Sequence, residues 1–370
     1  MSLRANLIGV VMALAVFAAH AADNAIVVGQ AIDLSGPNGS IGRDYVAGIT
    51  TYFDSINVKG GINGRKIRYV VRDDHGDAAE SARLVGSLIK QDRAVYMLGA
   101  IGAEATKAII ANPVFQQSRQ VLFAPLADSS AVPSERALFW RPNIESEFDF
   151  ILSYFQKLGV KKVGIATQDS VQSARAFQFV SSELARRGMS LVGVARVSDT
   201  PGANALSAQK LSATGARLVI TMADTIGTAQ FLKHYRKHDP ATFFAGTSLI
   251  NLATLSQMAG AKATEFTVFS QVVPNPGSNT TVLQAEHINM MKKFRDEPAS
   301  ALTLEGFAVG KTLVRSIQAE AAGRGGLQAM ATSKTSFDLG GMTMLIDAKG
   351  NSLSRYVDIA LFKRDGGLMF

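Results

Sequence analysis

The chain has 370 residues, of which 47% are hydrophobic and 18% charged, with a net charge of +8 and no cysteine. That length and apolar content allow two ordinary domains with large cores and exclude a mostly disordered chain. The missing cysteines exclude disulfides, iron–sulfur clusters, a thiol nucleophile and a lipid-modified N-terminal cysteine. The scattered lysines and arginines form no basic tract, so the charge reads as a solvated surface and no nucleic-acid partner is expected.

Arg4 opens the chain, and the apolar run from Leu7 to Ala19 is too short to span a bilayer comfortably. Ala19-His20-Ala21 then offers a small-x-small cleavage pattern. Residues 1–21 are therefore expected to be a cleaved export signal, leaving the mature protein free in a bacterial periplasm.

Strands are expected at 25–32, 66–72, 95–99, 121–125, 163–167, 191–197, 218–222, 243–246 and 266–270. These runs are short, continuous and rich in Val, Ile and Phe, as strands buried on both faces should be. Helical spacing lies between them. Val46, Ile49, Phe53 and Ile56 mark one helix face, ended by Asn57, Gly60 and Gly61. Phe148, Ile151, Leu152, Phe155 and Leu158 repeat the pattern before Gly159, and Phe177, Val180 and Leu184 before Gly188. Long helical patterns follow at about 281–294 and 300–322, then extended segments at 342–347 and 356–363.

Such alternation predicts parallel sheets wrapped by helices, in more units than one sheet holds. Pro-containing breaks at 140–145 and 273–277 divide the runs, so two α/β lobes are expected. Ligands bind at the carboxyl ends of strands in open parallel sheets, which puts a ligand cleft between the lobes.

No catalytic motif emerges. Gly306 to Thr312 looks like a phosphate loop, but Glu305 stands where its first glycine must be, and the segment lies in a helical pattern. His234 and His238 share a helical spacing, yet Lys233, Arg236 and Lys237 beside them disfavour a dication. The adjacent Asp73 and Asp74 would point to opposite sides of an extended chain, which suits structural roles better than shared acid–base work. No enzyme activity, metal or cofactor is expected.

One stretch is more specific. Ile32-Asp33-Leu34-Ser35-Gly36-Pro37, then Gly42, Gly48 and Asn57, then Gly60-Gly61-Ile62-Asn63-Gly64-Arg65-Lys66-Ile67, ends in Asp73-Asp74. This resembles the N-terminal signature of the leucine/isoleucine/valine-binding protein family, the type I periplasmic binding proteins. The likeness extends over about residues 24–370, through Gly99, Ala124-Pro125, Trp140-Arg141 and the turn at 347–350. It implies two Rossmann-like lobes with parallel sheets, joined by three hinge crossovers near 141–145, 272–277 and 338–346. Lobe one would comprise 24–143 plus 276–342, and lobe two 144–275 plus 343–370. It also implies a monomeric receptor that passes a small molecule to an ABC permease at the inner membrane, or a sensing module of the same fold.

Carried over residue by residue, the family's pocket falls on Ala103 and Glu104 in the serine-bearing loop, and on Leu126, Ala127, Asp128 and Ser129 in the threonine loop. Ile41 replaces an aromatic, Ser173 and Asp224 stand at tyrosine positions, and Ser248 replaces the acid that holds an ammonium. The carboxylate clamp thereby gains negative charge and the ammonium partner becomes neutral. A buried ligand carboxylate beside Asp128 would meet like charge, so the expected ligand is a neutral polar or cationic molecule, or an amino acid reversed so that Asp128 or Asp224 meets its ammonium; alternatively Asp128 caps the helix after its loop and touches no ligand.

Overall fold

The apolar runs become strands because each is sandwiched between helical layers, and their flanking Gly and Asn residues close the turns. The computed structural model describes residues 24–198, 200, 202–332, 336–345, 351–364 and 367–370. The expected export signal and the 347–350 turn lie outside them.

The first lobe runs β1 (Ile26–Ile32), α1 (Gly39–Val58), β2 (Ile67–Asp73), α2 (Ala78–Lys90), β3 (Tyr96–Leu98), α3 (Ala103–Ala111), α4 (Pro113–Ser118), β4 (Leu122–Phe123) and β5 (Ala137–Leu138). These strands form a five-stranded sheet, ordered β2-β1-β3-β4-β5, with every pairing parallel. All seven residues of β1 are buried, as its central place requires. Asn57 ties the end of α1 to β2, its side chain donating to the Ile67 carbonyl and accepting from the Ile67 N–H, each at 2.8 Å.

The second lobe runs α5 (Ile144–Lys157), β6 (Lys162–Thr167), α6 (Val171–Arg186), β7 (Ser190–Arg196), α7 (Ala203–Ser212), β8 (Leu218–Met222), α8 (Thr225–Tyr235), β9 (Phe243–Gly246), α9 (Leu252–Ala259), α10 (Ala261–Thr264) and β10 (Thr267–Gln271). The chain then returns as α11 (Val282–Phe294), α12 (Ala301–Ala321) and α13 (Leu327–Thr332), followed by a small ribbon of β11 (Phe337–Asp338) and β12 (Thr343–Met344). It ends with β13 (Asp358–Phe362) and β14 (Leu368–Met369), giving a seven-stranded sheet ordered β14-β13-β10-β9-β8-β6-β7. Strands β6 to β10 pair in parallel, while β13 and β14 add antiparallel.

Before entering that sheet the chain stays beside the first one. Phe139 N–H donates to the Asn351 carbonyl at 2.7 Å, and Ser354 N–H donates to the Trp140 carbonyl at 2.9 Å. The third passage therefore follows Ser354, whereas the sequence reading places it near 338–346.

Helix α12 completes the first lobe. Leu304, Phe307, Ala308 and Val309 join one core with Ile41, Tyr45, Ile49 and Phe53 of α1. The approach is backbone to backbone: a Cβ on Gly306 would lie 2.0 Å from the Tyr45 carbonyl oxygen, and one on Gly48 would lie 2.0 Å from that of Thr303. Only glycine fits either place. The phosphate-loop lookalike is thus a packing helix. Trp140 at the crossover donates its ring N–H to Thr312 on the same helix at 3.0 Å.

Candidate ligand cleft

The loops after β1, β2, β3 and β4 of one sheet face those after β6, β8 and β9 of the other. Between them lies a cleft of about 340 Å³, lined from both lobes. It sits at the carboxyl ends of the parallel strands.

Acidic side chains shape the first lobe's loops. Asp33 accepts from the N–H groups of Gly36 at 2.6 Å and Asn38 at 2.9 Å. Asp73 accepts from the N–H groups of Leu34 and His75, each at 2.9 Å. Against a desolvation cost, these bonds and one from Ser35 hold its carboxyl down to about 2. Asp74 turns the other way, accepting from Ser81 at 2.6 Å and the Gly76 N–H at 3.0 Å. The adjacent aspartates thus brace two loops.

Helix α3 begins at the cleft without a side-chain cap, after Gly102 at φ 93°. A side chain would be strained at that φ. The first-turn N–H groups of Ala103, Glu104 and Ala105, all cleft-lining residues, therefore offer the positive end of a helix dipole. Glu104 is 62% exposed and pairs with Lys107 at 3.2 Å, so its charge is drawn along the helix surface.

Side chains make the opposite wall. Asp224 caps α8, accepting from the Gly227 N–H at 2.7 Å and from the Gln168 amide at 3.1 Å. Ser173 donates to the Met222 carbonyl and accepts from Ser170, each at 2.8 Å. Gln168, Ser170 and Thr221 join this wall, with Phe148 and Met222 as its apolar part.

The structure gathers Ile41, Ala103, Glu104, Leu126, Ser173 and Asp224 around the cleft. Ala127, Asp128, Ser129 and Ser248 are not among the lining residues. Asp128 is buried and caps the short turn Ser129–Ala131, accepting from the Ser130 N–H at 3.1 Å and hydroxyl at 2.6 Å. Its carboxylate is engaged as a cap.

Ser248 is engaged by a buried charge cluster behind the cleft. Arg141 grips both carboxylate oxygens of Glu305 at 3.1 Å and donates to the Ser248 hydroxyl at 2.9 Å. Glu147 accepts from the Ser248 N–H at 2.8 Å and the Ser270 hydroxyl at 2.6 Å. Burial pushes the Glu305 carboxyl up; Arg141 pulls it down and Glu147 adds to the rise.

Sequence reasoning missed Gln168, Ser170, Thr221 and Phe148. Gln168 immediately follows the expected strand at 163–167, so the strand-end rule could have found it. Phe148 was read only as a core position of its helix.

Two facing parallel sheets with a cleft at their carboxyl ends define the class: a two-lobed α/β solute-binding fold. The periplasmic binding protein profile matches residues 25–366, and the chain belongs to that family. A substrate-binding periplasmic protein from Ralstonia solanacearum superposes with a TM-score of 0.85 at 25% identity, covering 93% of this chain and 99% of that one. The substrate-binding protein LivJ of a branched-chain amino acid transporter from Streptococcus pneumoniae, solved with isoleucine, gives 0.78 at 17% identity, covering 94% and 98%. An "Amino acid binding protein" from Pseudomonas aeruginosa is 31% identical over 113 residues, which is 30% of this chain and 29% of that protein. No helix among the described residues is long and apolar enough to cross a membrane.

Proposed function

We propose that the protein is the periplasmic receptor of an ABC importer, capturing an amino acid or related small polar compound and handing it to a permease of the inner membrane. The observation that carries this reading is the pairing of two unlike walls: the uncapped α3 N-terminus in one lobe faces the Asp224 carboxylate in the other, across a cleft whose described lining includes no Lys, Arg or His. The helix end suits a carboxylate. Asp224 keeps lone pairs beyond its two bonds for an ammonium group. Ile41, Leu126, Phe148 and Met222 would contact the ligand's apolar body. The ligand thus lies with its carboxylate on lobe one, and its acid partner comes from the loop after β8, since Ser248 is committed to Arg141.

In this reading Ala103, Glu104, Ser173 and Asp224 are polar contacts. Residues 1–21 direct export, and the receptor works as a monomer. The bodies that close on the ligand are 24–143 with the return segment through Ser354, and 144–275 with β13 and β14. The family resemblance and the isoleucine-bound neighbour support the amino acid as ligand.

The test is a calorimetric and thermal-shift screen of residues 22–370 against amino acids, amides and polyamines. An amino acid is expected to raise Tm by stabilising the folded state. Asp224→Asn, which keeps a capping oxygen, is expected to weaken its affinity about tenfold by removing a charge-assisted contact. Tight binding of an uncharged compound alone, unaffected by Asp224→Asn, would overturn the reading.

A further inference from the structure

Beside the cleft, Asn251 forms a contact that no ligand role explains. It precedes α9, is 3% exposed, and follows the cleft-lining Leu249 and Ile250. Its own lobe fixes it twice. The backbone N–H donates to Thr225 Oγ1 at 3.0 Å, and the side-chain oxygen accepts from the Thr254 N–H at 3.0 Å. That leaves the side-chain NH2, with two donors. It donates to the Ser40 carbonyl and to Asp44 Oδ2, each at 3.2 Å, on α1 of the other lobe. The same Asp44 oxygen accepts from Ser300 at 3.0 Å.

We propose that Asn251 is a latch across the cleft rim, holding the lobes together in the free protein and thereby setting affinity without touching the ligand. Its donors reach α1 only when the lobes meet, so the two bonds stabilise the closed arrangement alone. A ligand that needs that arrangement binds with an apparent affinity scaled by the closed fraction. The inference rests on the two-lobed fold and is independent of what the ligand is.

The chain's lack of cysteine makes the test direct. Ala111→Cys on α3 and Gln209→Cys on α7, both exposed, give one spin label per lobe, and pulsed electron resonance reads the distance between them. The free wild type is expected to show a substantial short-distance population. Asn251→Asp keeps an oxygen to cap α9 but sets a carboxylate against Asp44; it should lower the closed-to-open ratio about tenfold, the worth of losing one bond to a charged acceptor. Asn251→Ser, also a good cap but too short to cross, should open the cleft without adding charge. The swap Asn251→Asp with Asp44→Asn rebuilds the amide–carboxylate pair in reverse and should restore the short distance. The proposal is overturned if the wild type shows only the long distance, if both single variants match the wild type, or if a folded swap variant stays as open as Asn251→Asp. An added arm with L-isoleucine reads the ligand separately: no response there weakens the proposed function and leaves the latch result standing.

Discussion

Two of the ties between the lobes are built from different chemistry. At the crossover the tie is ionic: one arginine between Glu305 and Ser248, with Glu147 close behind. At the rim it is a neutral amide reaching one carbonyl and one carboxylate. A guanidinium and two carboxylates are costly to bury and ruinous to separate. Such a cluster suits a hinge, where the groups stay together whatever the lobes do. An amide returns to water cheaply. It suits a contact that must break each time the cleft opens.

Three measurements would break or sharpen this contrast, beyond the Asp224→Asn affinity test above. The largest effect is expected at the hinge. Arg141→Ala strands two buried carboxylates and should cost about 3–5 kcal/mol in urea unfolding. A loss below about 1 kcal/mol would mean the cluster is hydrated and no different in kind from a surface pair.

A polar group buried inside one lobe gives a reference point. His287 is fully buried between α11 and α12, its Nε2 2.9 Å from Thr303 Oγ1, and burial lowers its pKa to about 4. Between pH 6.5 and 4 the unfolded chain therefore takes up the proton first. This histidine's contribution is complete above pH 6.5 and is lost as pH falls, by roughly 3 kcal/mol at the lower end. The raised carboxyls of Asp44, Asp74 and Glu305 act in the opposite sense as pH falls. The measurement is thus the difference between wild type and His287→Gln, whose stability should fall less steeply over that window. Parallel curves would show that His287 titrates in the fold as it does in the unfolded chain.

The smallest effect on stability belongs to the rim. Asn251→Asp opens the cleft yet should change global unfolding by less than about 1 kcal/mol, because it keeps a cap for α9. A loss as large as that of Arg141→Ala would make the two ties equivalent and remove the contrast.

The sequence carried the central strands well. Continuous runs such as 25–32, 218–222 and 266–270 announce strands buried on both faces, and β1, β8 and β10 are buried along their whole length. Two-residue strands such as β5 and β14 carry no periodicity, since their pairing is imposed by neighbours. The cleft was legible as a position, at the ends of parallel strands, but its chemistry was less so. Asp128 is two residues from the serine that satisfies it, and its loop still allowed two readings. Ser248 is engaged by Arg141 and Glu147, partners distant in sequence that no local pattern connects to it. Gly306 could be denied a phosphate role from Glu305 alone; its real reason, contact with Tyr45, needed the fold.

That contact governs when the molecule can form. Strands β6 to β10 follow one another without interruption, so the second lobe's parallel sheet can assemble from neighbouring segments. The first lobe cannot finish until α12 arrives to cover Tyr45, Ile49 and Phe53. Closing so long a loop is slow, and it leaves an apolar helix face uncovered while the chain is still being made. A polypeptide whose first-made third stays open until its last fifth appears is one that a translocation channel could still thread.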